Sequence, residues 1–332
     1  MSTANLSAKK TALVGLDDIR AARERLRGVA ARTPLIACPH QHENRQLYFK
    51  PESLQPIGSF KLRGAYNKIA TLSEDEQRRG VITYSSGNHA QGVAYAARAL
   101  GVRAVVVMPR NAPPIKVEST RALGAEVVFV GPASSERKAR AEELAAEHGY
   151  VIVPPYNDER IIAGQGTIGL EILEDLPEAE TVLSPVGGGG LISGVAAALK
   201  LSRPQVRVMG VEPELAADAQ ASLRAGRVVE FAAEQVSRTV ADGLRTQSVG
   251  EMNFEHIRRY VDDIVTVSER EILDAMRLLA LNAKLIAEPS GAVTFAAFLF
   301  HADQLPRTQR NVAVISGGNA EPELLAKLLS SV

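Results

Sequence analysis

From Val81 onward, short β-branched runs alternate with stretches of helical periodicity, and this alternation limits the fold more than any other feature. Val81 to Ser85 reads as a strand and His89 to Leu100 as an alanine-rich helix. Ala104 to Met108 is a strand, and a loop bearing Pro109, Pro113 and Pro114 leads to a helix around Lys116 to Leu123. Glu126 to Val130 and Tyr150 to Val153 are strands on either side of a charged helix, Ser134 to His148. The second half repeats the rhythm. It has a helix at Gly169 to Leu176, a strand at Thr181 to Ser184 and a helix at Leu191 to Leu201. A strand at Arg207 to Val211, a helix to about Gly226 and a strand at Ile264 to Val267 follow. Ser268, with Glu271 three residues on, marks a helix start by the capping-box pattern, and that helix must stop before Pro289. A helix at Ala292 to Phe300, a strand at Val312 to Ile315 and a last helix complete the chain. Near the N-terminus, Ile19, Ala22, Leu26 and Val29 share a helical face, and Gln46 to Lys50 alternates as a strand. Strands separated by helices of roughly ten residues predict an α/β fold with two open, mostly parallel twisted sheets flanked by helices.

The Pro154-Pro155 corner is the expected domain seam, with its partner near Lys50. Residues 53–152 then form a small α/β domain inserted into a large one made of residues 1–52 and 153–332. Composition narrows the function. Lys+Arg and Asp+Glu both number 38, and no basic stripe stands out, so binding nucleic acid by bulk charge is not expected. The absence of tryptophan argues against a base-stacking surface. The single cysteine, Cys38, excludes an internal disulfide and suits a reducing cytoplasm. Met1 to Lys10 is polar without a signal core, and no apolar run is long enough to span a membrane.

Ligands of open parallel sheets sit beyond the carboxyl ends of the strands, and three such ends are unusual here. Ser85-Ser86-Gly87-Asn88-His89 runs straight into a helix, where free N–H groups and the positive helix end favour a carboxylate or phosphate. An ordinary Ser/Asn cap explains one of these residues but not all five. Gly187-Gly188-Gly189-Gly190-Leu191 lets backbone wrap closely around a phosphate. It is not a P-loop, and Ile192 stands where a dinucleotide fingerprint needs glycine. Ser316-Gly317-Gly318-Asn319 could present a serine to a ring nitrogen or an anion, or simply cap a helix. A fourth stretch, Pro56-Ile57-Gly58-Ser59-Phe60-Lys61, sets one lysine between a defined turn and an apolar helix. A surface lysine that snorkels is the plainer reading of that residue taken alone.

Together these stretches offer an amine, a phosphate cradle and a carboxylate cradle. Ser59-Phe60-Lys61-Leu62-Arg63-Gly64-Ala65, Ser86-Gly87-Asn88-His89-Ala90-Gln91-Gly92, the four-glycine loop and Ser316-Gly317-Gly318-Asn319 resemble the pyridoxal-phosphate enzymes of fold type II, whose sheets are tryptophan synthase β-like. Within these the chain is most similar to the serine/threonine dehydratases (ammonia-lyases) and serine racemases, from Thr33-Pro34-Leu35 to Asn319. The resemblance implies a large cofactor-binding domain, a small substrate-binding domain and pyridoxal 5′-phosphate carried covalently on Lys61. It implies that Lys61 takes the α-proton of an amino-acid substrate and that Phe60 lies against the cofactor ring. Asn88 would bond the ring hydroxyl, Gly187, Gly188, Gly189, Gly190 and Leu191 would hold the phosphate, and Ser316 would face the pyridine nitrogen. Ser86 would be the acid/base on the opposite ring face, and Ser85, Ser86, Asn88 and His89 would receive the substrate carboxylate. Arg137 falls where racemases contact substrate, although a solvated helix face is the simpler reading. Glu212, the Ala216 carbonyl and Asp218 match the spacing of a family site for Mg²⁺ or Ca²⁺, while an acidic helix start would give the same residues.

The activity implied is β-elimination from a 3-hydroxy amino acid, with L-threonine or L-serine foremost. Pro155-Tyr156-Asn157-Asp158 resembles the dehydratases, and Ala90 stands where vertebrate-type racemases carry glycine. Arg245 and Arg137 keep 3-hydroxyaspartate open as a substrate, and serine racemisation is the other alternative. A binding protein that retains the fold without catalysis is the reading from a different class. Family members are dimers or tetramers. The chain ends after its last helix, so feedback through an appended regulatory domain is not expected.

Overall fold

The computed structural model describes residues 13–39, 44–85, 87–112, 114–131 and 134–330. Among them the strands are β1 Ile36–Ala37, β2 Gln46–Pro51, β3 Val81–Tyr84, β4 Ala104–Pro109, β5 Glu126–Val130, β6 Val151–Ile152, β7 Thr181–Pro185, β8 Arg207–Pro213, β9 Asp263–Val267 and β10 Arg310–Ile315. The helices are α1 Leu16–Leu26, α2 Lys61–Ala70, α3 Glu74–Arg79, α4 Asn88–Ala99, α5 Pro114–Ala122, α6 Ser134–His148, α7 Glu159–Asp175 and α8 Gly190–Ser202. They continue with α9 Asp218–Ala225, α10 Ala233–Val236, α11 Glu251–Tyr260, α12 Glu269–Leu278, α13 Pro289–Phe300 and α14 Pro322–Ser330.

One sheet has six strands in the order β1-β2-β10-β7-β8-β9, and the other has four in the order β5-β4-β3-β6. Every pairing is parallel except β1 with β2. The pattern follows from the sequence. β4 and β7 are buried at every residue, as central parallel strands covered on both faces must be. α8 and α13 are apolar around most of their circumference and are sunk against the large sheet. The Ser268–Glu271 capping box forms at α12 as the sequence indicates.

Four helices escape a reading by periodicity: α7 begins at Glu159, ten residues before the expected start at Gly169, and α3, α10 and α11 fall in stretches read without a helix. Gly164, Gly166 and Gly169 weaken α7 as an isolated helix, but packing requires them to be small. A β-carbon on Gly164 would lie 2.6 Å from the Arg63 carbonyl oxygen of α2. One on Gly194 of α8 would lie 2.2 Å from the Ile162 carbonyl oxygen of α7. Backbone meets backbone at both crossings, which fixes α2, α7 and α8 as a rigid stack.

A buried ionic group locks the same stack. Arg63 donates to Glu52 (Nε–Oε2, 2.7 Å), Glu171 (Nη1–Oε1, 2.6 Å), Thr167 and the Ala31 carbonyl. Lys50 completes the set through Glu171 (2.7 Å) and the Thr33 carbonyl. Two cations face two carboxylates, so the group is neutral, and its charges are paired and hydrogen-bonded as burial demands. It joins the end of β2, α2 and α7 two residues from Lys61.

Candidate active site

The register of the large sheet brings the lysine turn to the serine loop. β2 and β10 run parallel with Pro51 opposite Ile315, so the segments leaving both strands travel side by side. Ser59 bridges Gly317, Phe60 N–H donates to the Ser316 carbonyl at 3.0 Å, and Gly318 N–H donates to the Gly58 carbonyl at 2.9 Å. Gly58 has φ of 71°, a left-handed turn that suits glycine. Lys61 is then the first residue of α2, as expected. α4 packs so closely there that a β-carbon on Gly92 would sit 3.1 Å from the Lys61 carbonyl carbon.

The Lys61 amine donates to the Pro155 carbonyl at 2.7 Å and lies 5.2 Å from the Phe60 ring centroid. Burial pushes it down to about 8, a shift that Glu288 opposes. In cofactor-free protein the amine is expected to lose its proton around pH 8, not near its ordinary 10.5. Mass analysis of the Lys61 peptide after amine labelling at stepped pH checks this, and a midpoint near the ordinary value contradicts it. Between these pH values the unfolded chain binds more protons at this residue than the folded one, so this group's contribution to stability rises with pH across that window.

The loop after β3 reaches the large sheet's loops through Asn88. Its amide donates to Glu288 Oε1 at 2.6 Å and accepts from Asn319 Nδ2 at 2.7 Å. Asn319 Nδ2 also donates to the Ile57 carbonyl at 2.9 Å. Glu288, buried at the start of α13, is pushed up to about 7 by burial and by Asp242, against the pull of Asn88, Lys116 and Lys61. It was not among the sequence candidates, because Glu288-Pro289 reads only as a helix boundary. The one usable signal was a carboxylate beside a buried-helix start. A second tie across the cleft joins Lys116 of α5 to Asp242 at 2.8 Å.

Two helices present uncapped N-termini at the cleft. α4 starts after Gly87 and α8 after Gly189, and neither receives a side-chain cap. Their free N–H groups and helix dipoles are suited to anions. Gly189 has φ of 90° and the four glycines are buried. Leu191 is the second residue of α8. Ser85 Oγ accepts weakly from Gly87 N–H at 3.4 Å. Ser86 lies outside the described residues.

Other candidates need correction or restriction. Ser316 caps no helix, since α14 begins only at Pro322; its hydroxyl donates to the Ser290 carbonyl at 3.3 Å and is nearly buried. The His89 imidazole bonds the Val153 carbonyl at 3.0 Å. Burial and the nearby Lys61 push it down to about 3, so it is neutral and engaged as a strut. Only its backbone N–H remains for a carboxylate. Arg137 stands in the first turn of α6, half-buried, with its pKa lowered by burial. Arg245 directs Nε and Nη2 to the Thr239 carbonyl, at 2.8 and 2.6 Å.

The cation candidates lie between the end of β8 and the first residue of α9. Glu212 accepts from Ala219 and Gln220 N–H at 3.0 and 2.8 Å. Asp218 is fully buried and neither carboxylate oxygen has a hydrogen-bond partner. Burial and the facing Asp218 raise Glu212 well above the usual carboxylate range, and burial pushes Asp218 up to about 7. Two buried carboxylates, one of them orphaned, with the Ala216 carbonyl on the adjoining turn, fit a hard divalent cation.

Two α/β units meeting at strand-end loops around a part-buried amine form a site suited to a small anionic ligand. Residues 26–317 match the model of the pyridoxal-phosphate dependent enzyme family, and the chain belongs to that family. Its cofactor is accordingly pyridoxal 5′-phosphate. An L-threonine ammonia-lyase of Thermotoga maritima is 46% identical over 322 residues, covering 96% of this chain and 79% of the relative. An L-threo-3-hydroxyaspartate ammonia-lyase of Saccharomyces cerevisiae is 39% identical over 315 residues, covering 94% of this chain and 95% of the relative. The solved structure of a maize serine racemase superposes with a TM-score of 0.90 at 36% identity, covering 95% of this chain and 97% of that one. Among the described residues no helix is long and apolar enough to cross a membrane.

Proposed function

We propose that this chain is an ammonia-lyase that eliminates the β-hydroxyl of a 3-hydroxy amino acid, L-threonine or L-serine foremost, to give a 2-oxo acid and ammonia. The carrying observation is the Lys61 amine, part-buried, shifted toward its neutral form and set in the cleft that two uncapped helix N-termini face. When bound, the cofactor withdraws electrons from the substrate α-carbon. Lys61 would anchor it and, as a free amine, would take the α-proton; a lowered pKa is what this role needs near neutral pH. Gly187 to Leu191 would hold its phosphate through backbone N–H groups and the α8 dipole. Phe60 would lie against its ring, Asn88, held by Glu288 and Asn319, would bond its hydroxyl, and Ser316 would face its nitrogen. A serine there, unlike an aspartate, would not hold a proton on that nitrogen, which suits loss of the β-hydroxyl. Ser85, Ser86 and the N-terminus of α4 receive the substrate carboxylate.

The enzyme is proposed to work in the cytoplasm as a homodimer or homotetramer. Residues 53–152 would act as the substrate-side domain and 1–52 with 153–332 as the cofactor domain. The test is release of 2-oxobutyrate from L-threonine and pyruvate from L-serine. D-serine formed without oxo acid would replace the lyase reading by racemase, and formation of neither product by a cofactor-binding protein without catalysis. Acidic substrate is the weaker reading because Arg245 is committed to Thr239.

The cation site adds a separate expectation. Removing divalent metal should lower the thermal midpoint, because Glu212 and Asp218 are left as facing buried carboxylates, and Mg²⁺ or Ca²⁺ should restore it. Indifference of both midpoint and activity to chelation and re-addition counts against the site.

A further inference from the structure

The turn at Pro155 to Asn157 touches both ends of the cofactor site. The Pro155 carbonyl accepts from the Lys61 amine at 2.7 Å. The next residue, Tyr156, lays its ring on the glycine loop: a β-carbon at Gly188 would fall 2.2 Å from ring Cδ1. A β-carbon at Gly190 would fall 3.0 Å from Tyr156 Cβ. The turn is itself fixed from α11 and α7. The Tyr156 carbonyl accepts from Asn253 Nδ2 at 3.3 Å and Asp158 N–H at 2.9 Å, and Asn157 Oδ1 accepts from Met252 N–H at 3.1 Å.

Four successive glycines have no side chains to hold their shape and lose more backbone entropy on ordering than other residues. Their conformation must be imposed by neighbours. On one side Gly187 abuts Gly243 and Leu244, where an added β-carbon would lie 3.3 Å from the Gly243 carbonyl oxygen and 3.2 Å from Leu244 Cα. On the other side stands the Tyr156 ring, a large rigid surface with two rotatable bonds.

We infer that Tyr156 is a positioning residue that braces Gly188 and Gly190 in their anion-binding shape and, through Pro155, sets the cradle's distance from the Lys61 amine. The inference rests on the proposed roles of Lys61 and the glycine loop. It makes Tyr156 and Gly188 a matched pair, in which ring and missing side chain require each other.

The test compares two aldehydes, pyridoxal phosphate and pyridoxal, which lacks the phosphate. Holoenzyme stripped of cofactor is titrated with each, and attachment is read from visible absorbance and borohydride trapping at Lys61. Tyr156→Ala is expected to weaken pyridoxal phosphate about tenfold and to leave pyridoxal unchanged. Tyr156→Phe keeps the ring and should behave as wild type. Tyr156→Leu keeps apolar bulk without the ring and should repeat the selective loss, which guards against a fold defect in the alanine variant. Gly188→Ala should weaken pyridoxal phosphate, and adding Tyr156→Ala should recover part of that loss. Equal loss for both aldehydes, no loss, or additive effects in the double variant would overturn the brace. A wild-type protein that attaches neither aldehyde at Lys61 would overturn the functional reading instead.

Discussion

Lys61→Ala is expected to lower turnover of L-threonine about 10²–10⁴-fold, the range lost when a positioned acid/base is removed. The same variant should show no visible absorbance from attached cofactor, because the other lysine tied across the cleft, Lys116, is held by Asp242. The fold should survive. Lys61 is held by one carbonyl and sits in surroundings that already disfavour its charge, so its removal takes away a desolvated ammonium. Turnover and absorbance should therefore collapse, while the thermal midpoint, compared with both proteins free of cofactor, holds or rises. Retention of turnover in Lys61→Ala sinks the proposed mechanism. A fall in the midpoint of the cofactor-free variant, in parallel with turnover, reduces the lysine to a structural part.

Arg63→Met should do the opposite and strike the fold first. Removing this guanidinium leaves Glu171 with Lys50 alone, and leaves Glu52 buried with only the neutral donors Thr33 and Gln55. Breaking a buried pair in this way costs about 3–5 kcal/mol, because the surviving charges lose their partner without regaining water. Denaturant unfolding of the two proteins measures it. A cost under about 1 kcal/mol, the range of an exposed ion pair, would mean that the site is wetter than its geometry implies. Acid adds a second readout. Burial alone would raise the Glu171 carboxyl, but Arg63 and Lys50 outweigh it and hold it below the usual 4.5. Its contribution is thus present above the unfolded value and fades as pH falls through the lower folded one. Arg63→Met should lose this part of the acid dependence. Because α2 carries both residues, the variant should also release cofactor sooner than wild type as denaturant is raised.

The two variants separate what one helix does at its two ends. Lys61, at the first turn, faces the cleft, where its proposed chemistry takes place. Arg63, two residues later, points into the stack of α2, α7 and β2 and holds that turn still. A helix start placed on a buried ionic group cannot wander, which is what an amine acting as a base requires.

Much of this was written in the chain. Local pattern gave the strand–helix alternation, the parallel class of both sheets, the Ser268 cap and the position of Lys61 at a helix start, because periodicity, caps and glycine turns act over a few residues. The four motifs also identified the family before any geometry was seen. What tertiary structure decided lies where distant segments meet. α7 is a helix from Glu159 despite its glycines, because α2 and α8 need backbone contact there. Ser316 caps nothing, since its loop is pinned to the lysine turn by the β2–β10 register. His89 and Arg245 are spent on the Val153 and Thr239 carbonyls. Glu288 and Tyr156 entered the site only through contacts that cross the chain, from residue 88 to 288 and from 156 to 188. Local sequence sets what each residue can do; which of those capacities is used depends on burial and on partners supplied from far along the chain, and only folding brings them together.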